Sequence, residues 1–170
     1  MKLRHLVVLR GGSYEGPDRR LTAAARTRVQ RLVLELKGIG MSRPEIWCSP
    51  VPCAKQTAAI LSHVMPAVFR PIPQLEADEH EADTADRGEG KLLSIHDLIM
   101  REHRSSLDLV IVSHDFVVAE FPEFFARRHL NLNVRSVKVN RGEGWYINCQ
   151  PKLIGQDTNL ILKRLVPQLG

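Results

Sequence analysis

The chain has 170 residues, 44% hydrophobic and 25% charged, proportions of an ordinary globular domain that exclude disorder, a collagen-like repeat or a coiled coil as the dominant state. One domain spanning 1–170 is expected, long enough to bury a core. No apolar run approaches the roughly 18 residues of a membrane span, so no membrane partner is expected. The net charge of +5 suits an anionic ligand without requiring one, and nine aromatic residues with no basic run beyond pairs such as Arg19-Arg20 argue against a nucleic-acid partner.

Leu6–Leu9 is a short apolar run ended by Arg10-Gly11-Gly12-Ser13, the pattern of a buried strand entering a glycine-rich turn. Four apolar residues are too few for the core of a secretory signal. Three cysteines, Cys48, Cys53 and Cys149, are an odd number without the spacing of a zinc site. A cytoplasmic location follows as the expectation. Leu21–Lys37 carries Ala24, Val29, Leu32, Val33 and Leu36 at helical spacing, with Thr22 as N-cap and Gly38 and Gly40 as stop signals. Glu45–Cys48 reads as a second strand, Ser49–Pro52 as its turn and Ala54–Val64 as a second helix.

Between Pro66 and Gly90 the chain is acidic, proline-bearing and weakly periodic, which predicts a long excursion with one short strand near Val68–Ile72. Lys91–His103 is helical by pattern. Asp108–Ser113 is a strand of nearly pure β-formers, and Phe116–Arg128 is a helix that Pro122 interrupts. Ser136–Asn140 and Trp145–Cys149 alternate at period two around Arg141–Gly144 and predict a hairpin, offering an edge for strand pairing or a dimer contact. A helix over Leu160–Leu169 closes the chain. Strands and helices alternate, so the fold class is α/β: a three-layer sandwich with a mostly parallel central sheet covered by helices on both faces.

Ligands of such sheets bind beyond the carboxyl ends of the strands, where three loops carry polar or special residues: Arg10–Ser13, Ser49–Cys53 and Ser113–Asp115. Arg10-Gly11-Gly12-Ser13 has the composition of an anion-binding turn, because glycines allow backbone amides to converge while arginine supplies a charged fork. A Gly-Gly turn after a strand is more often just a turn.

Leu6–Ser13, Leu21–Ala25, the run Ser49-Pro50-Val51-Pro52-Cys53-Ala54-Lys55-Gln56-Thr57-Ala58 and Val110-Ile111-Val112-Ser113-His114-Asp115 together resemble the histidine phosphatase superfamily. The resemblance, from residue 3 to about residue 130, is to its small SixA-like branch. It implies a phosphoglycerate mutase-like fold and two-step phosphoryl transfer through a histidine in an Arg-His-Gly motif. Mapped by motif, the family arginine falls on Arg10, its following glycine on Gly12 and the second histidine on His114. The nucleophilic histidine falls on Gly11 and the second arginine on Cys53. Glycine has no atom that can accept a phosphoryl group, so no catalytic residue is expected. His114 and Glu76, the best match to the family's general acid, are vestiges, with Glu79 and Glu81 as alternatives to Glu76.

A pseudophosphatase follows as the expectation, without cofactor or metal, binding phosphate or a phosphorylated small molecule or protein through Arg10, Gly11, Gly12, Ser13, Cys53 and His114. Two other readings stay open: an active phosphatase with solvent or His114 in attack, and an interaction module with an idle pocket. Arg4-His5 precedes its strand, which places His5 at the opposite end of the sheet from His114 as a surface residue. Cys53 lacks the arginine six positions on that a cysteine phosphatase uses. His80 and His96 read as solvated surface.

Overall fold

The computed structural model describes residues 3–76, 85–103, 108–150 and 162–167. Its central sheet has six strands: β1 (His5–Arg10), β4 (Glu45–Cys48), β5 (Phe69–Pro71), β6 (Asp108–Ser113), β7 (Gly144–Asn148) and β8 (Leu162–Leu165), in the order β5-β4-β6-β1-β7-β8. The first four run parallel, while β7 lies antiparallel to β1 and β8 antiparallel to β7. A two-stranded ribbon, β2 (Tyr14–Glu15) with β3 (Arg20–Leu21), stands beside it.

The central strands are apolar on both faces because both are covered. Val7, Leu9, Ile46, Cys48, Val110 and Val112 face α1 (Ala23–Gly38) and α2 (Pro52–Val64). Leu6, Val8, Trp47, Leu109 and Ile111 face α3 (Ala85–Glu102) and α4 (Asp115–Leu130). Alternate side chains of one strand therefore anchor opposite layers, each full burial contributing roughly 1.5–3 kcal/mol. The three-layer α/β sandwich expected from the alternation of elements is present. Thr22 caps α1 as its position predicts, accepting the Ala25 N–H at 3.1 Å.

Four local expectations fail. The helix α3 starts at Ala85, before the expected Lys91, through Gly88 and Gly90, because its apolar stripe of Leu92, Ile95, Leu98 and Ile99 packs on the core and tertiary burial outweighs the low helix propensity of glycine. The helix α4 continues through Pro122; the missing hydrogen bond costs about 3 kcal/mol, offset by burying Phe121, Phe124 and Phe125 around it. Ser136–Asn140 forms no strand, since β1 and β8 occupy both sides of β7. That segment crosses the end of the sheet, where Val137 O accepts the Trp145 indole N–H at 3.2 Å. The expected hairpin edge is accordingly interior. Of the expected closing helix, Leu162–Leu165 forms strand β8 instead, its Leu165 buried against the α1 side of the core, while residues 160–161 and 168–169 lie outside the described residues.

His5 is buried, with Nδ1 3.0 Å from Asp108 Oδ1. The register that pairs His5 with Asp108 and Arg10 with Ser113 puts it at the end of the sheet remote from His114, as expected, although not on the surface. His96 is also buried, against Phe124, Phe125 and His129. No helix among the described residues is long and apolar enough to cross a membrane.

Candidate functional site

The carboxyl ends of β1, β4 and β6 converge on a cavity of about 230 Å³. Its floor is the turn that leaves β1. Arg10 points along it, donating from Nη2 to Asp115 Oδ2 at 2.7 Å and from Nη1 to Val139 O at 2.9 Å. Lys138 Nζ lies 3.2 Å from the same carboxylate oxygen. Asp115 opens α4, so one carboxylate fixes the guanidinium and ties β1 to the helix on the other side of the cavity.

Gly11 and Gly12 line the cavity, but their amides are not free for an anion. The Gly11 N–H donates to Ser113 O at 3.1 Å and the Gly12 N–H to Thr57 Oγ1 at 3.2 Å. Thr57 in turn donates to Cys53 O at 2.8 Å. Side chains, not the expected amides, supply the donors here. The two glycines differ in what they require. A Cβ on Gly12 would stand 2.9 Å from Leu21 Cδ2 and 3.3 Å from Ala25 Cβ, whereas one on Gly11 would meet nothing closer than 3.7 Å. Close approach disfavours a side chain at 12 and not at 11.

His114 lies at the wall, Nε2 2.8 Å from Ser49 Oγ, and Ser49 Oγ also accepts the Val51 N–H at 3.3 Å. Burial, with Lys91, Arg19, Arg10 and Arg141 around it, pushes the imidazole pKa down, so the ring is neutral near pH 7. Cys53 sits in the first turn of α2 with its sulfur 3.7 Å from the point where a Gly11 Cβ would be. Burial raises its thiol pKa, against smaller opposing contributions that include Arg141 and Arg19. It is a thiol, not a thiolate, at neutral pH. Cys48 is buried in the core and its pKa is raised to about 11.

Three cavity residues had no role in the sequence reading: Tyr14, Arg19 and Arg141. The Arg141 guanidinium lies 4.2 Å from the Tyr14 ring centroid and Arg19 lies 5.9 Å from it; Arg141 Nη2 also donates to the Tyr14 hydroxyl at 3.4 Å. The turn carrying Arg141 is pinned to the end of β1, with Gly142 N–H donating to Arg10 O at 3.1 Å and Arg10 N–H to Glu143 O at 2.8 Å. Burial would raise the Glu143 pKa, but the Arg164 hydrogen bond and those from Asn140 hold it below the ordinary value. The carboxylate therefore stays charged and braces the turn. Arg141 is legible in sequence only as the tip of a glycine-rich turn, and Arg19 only as half of a basic pair.

Among the described residues neither Arg19 nor Arg141 has a carboxylate partner. With Arg10 they make a cavity whose cations exceed its single carboxylate, Asp115. Such a surplus in a concave site attracts a polyanion. Ser13 falls outside this cavity and lines a neighbouring depression. Glu76 is exposed and does not line the cavity; its backbone carbonyl accepts from Lys91 Nζ. Glu79, Glu81 and His80 lie outside the described residues. No group of three His, Cys, Asp or Glu among the described residues is placed to hold a metal ion.

No protein-family model and no curated protein matches the sequence. Solved structures do match. The SixA protein of Nakamurella multipartitia superposes with a TM-score of 0.63 at 16% identity, covering 85% of this chain and 83% of its own. A mycobacterial glucosyl-3-phosphoglycerate phosphatase gives 0.58 at 17% identity, with 84% and 89% covered. YhfR of Bacillus stearothermophilus gives 0.56 at 16%, with 84% and 90% covered. These neighbours belong to the histidine phosphatase superfamily, and the chain has their phosphoglycerate mutase-like fold.

Proposed function

We propose that the chain binds a phosphate ester in the Arg10 cavity and does not hydrolyse it through a phosphohistidine. The observation that carries the reading is Gly11: it stands at the mouth of β1, beside Arg10 and Cys53 in the same cavity as His114, at the position the motif assigns to the nucleophile. Glycine leaves that position with hydrogen in place of imidazole. Removing a covalent nucleophile costs on the order of 10⁶ in turnover, about 8 kcal/mol of barrier. Cys53, at the second arginine position, supplies no charge. Arg19 and Arg141 reach the cavity from the β2–β3 ribbon side and from the turn before β7, and retain the cationic character that binding needs. A soluble, cytoplasmic protein without cofactor is part of the same proposal.

His114 is a poor substitute nucleophile, because Nε2 is engaged with Ser49. The test is hydrolysis of p-nitrophenyl phosphate and of phosphohistidine by the unmodified chain beside a Gly11→His, Cys53→Arg double variant. The expected result is turnover only in the double variant, since the Gly11 backbone has room for a Cβ. Turnover in the unmodified chain that vanishes in His114→Ala would instead establish an active phosphatase.

A further inference from the structure

We propose that the site is two-lobed and takes a small molecule bearing two phosphate groups, one in the Arg10 cavity and one in the depression next to it. The proposal rests on the anion-binding reading above and names its ligand class. The second depression, of about 200 Å³, shares Gly12 and Arg141 with the first. Its cations are Arg141 and Arg28, the latter half-buried on α1.

No carboxylate lines this second lobe, the first turn of α1 carries no acidic residue, and Arg28 has no carboxylate partner among the described residues. Gly142 explains how Arg28 comes to lie there. Its φ of +77° suits glycine, and a Cβ at that position would stand 3.3 Å from Arg28 Cδ, so the arginine stem packs on the bare turn. Ser13 and Thr22 also line it.

Arg141 stands between the lobes, and a guanidinium has five donors in a planar fork, enough to serve an anion on either side. A ligand with one phosphate neutralises one lobe and leaves the other with its cations unmatched. Two linked phosphates satisfy both, the second at the high effective concentration set by a short linker. The lobes share Gly12 and Arg141 in their linings, so they are adjacent and a compact molecule can reach both. A nucleic-acid strand would want a row of exposed aromatic platforms, whereas the cavity offers only Tyr14, already faced by two arginines.

Isothermal titration of the intact chain with inorganic phosphate, pyrophosphate and butane-1,4-diol bisphosphate, at constant ionic strength, tests this. At least one bisphosphorylated probe is expected to bind ten-fold or more tightly than phosphate. Arg28→Gln is expected to remove that advantage over phosphate with the thermal midpoint retained, and Arg28→Lys to restore part of it. Bisphosphorylated probes no tighter than phosphate, or an advantage that survives in Arg28→Gln, overturn the two-lobed site alone. Failure of all three probes to bind the unmodified chain overturns the anion-binding reading beneath it.

Discussion

Arg10 and Asp115, 105 residues apart in sequence, meet at 2.7 Å across the end of the sheet. The pair holds the guanidinium in the cavity but also sets a negative charge beside it. Asp115 Oδ1 is buried and has no hydrogen-bond partner among the described residues, so Arg10 and Lys138 hold the carboxylate through Oδ2 alone. In Asp115→Asn the Val139 carbonyl still accepts from Arg10, and the anion site loses its internal competitor. Inorganic phosphate is expected to bind about three- to ten-fold more tightly, corresponding to roughly 1 kcal/mol for a partly screened charge. Titration calorimetry reads this directly, and unchanged or weaker binding would show that the carboxylate contributes chiefly by positioning Arg10.

His114 gives the site a pH dependence. In the free protein burial and then the surrounding cations hold its pKa below 6.5. A bound anion supplies the missing negative charge and raises it. Between the two values binding takes up a proton, so affinity increases as pH falls. Sulfate, which does not titrate in this range, is expected to bind more tightly at pH 5.5 than at pH 7.5. His114→Asn should flatten the profile, and a steep profile surviving in that variant would place the proton elsewhere.

Much of this architecture was legible from periodicity. Leu6–Leu9, Glu45–Cys48 and Asp108–Ser113 are pure enough in β-formers to be read as interior strands, and Thr22 announces its helix. What escaped was set by partners distant in sequence. Ser136–Asn140 alternates like a strand, yet β7 has both sides taken by β1 and β8. Leu162–Leu165 has too few residues for period two to outvote period 3.6, and its pairing with Gly144–Ile147 decides the matter. The site shows the same division. Arg10 ends β1, Gly11 and His114 directly follow β1 and β6, and Cys53 opens the helix five residues after β4, so the rule for parallel sheets finds them. Arg19, Tyr14 and Arg141 enter from the small ribbon and from the turn before an antiparallel strand, where no such rule points.

Acid should destabilise the fold through its buried imidazoles. The pKa values of His5, His103 and His129 are all held below the unfolded value of 6.5, with burial the largest cause in each. The sign follows: below pH 6.5 the unfolded chain binds protons that the folded chain refuses, so stability is full above that pH and declines as pH falls toward the folded-state values. One such histidine gives a slope of at most about 1.4 kcal/mol per pH unit. His103 is the clearest case, its side chain 1% exposed and 3.8 Å from Glu45. Urea denaturation between pH 7.5 and 5 should show a shallower loss for His103→Gln than for the parent chain, and parallel profiles would remove His103 as a contributor.

Gly11 and Gly12 make a sharper test, because adjacent glycines in one turn are expected to respond oppositely to the same substitution. At Gly12 an added methyl would meet Leu21 Cδ2 at 2.9 Å and Ala25 Cβ at 3.3 Å, where α1 and the small ribbon close on the turn. Leu21 and Ala25 are buried and pack with Cys53, so the clash has little room to relax, and overpacking of this kind costs about 1–3 kcal/mol. At Gly11 the nearest atoms, Ala54 Cα, Ala54 N and Cys53 Sγ, are all 3.7 Å away, an ordinary contact. With no positive φ to forbid a side chain there, Gly11→Ala should be neutral or mildly stabilising through a less flexible unfolded chain. Denaturant midpoints for the two variants settle the comparison. Equal losses at both positions would mean that the turn needs glycine at 11 for its conformation, and Gly11→His would then be no fair test of restored chemistry.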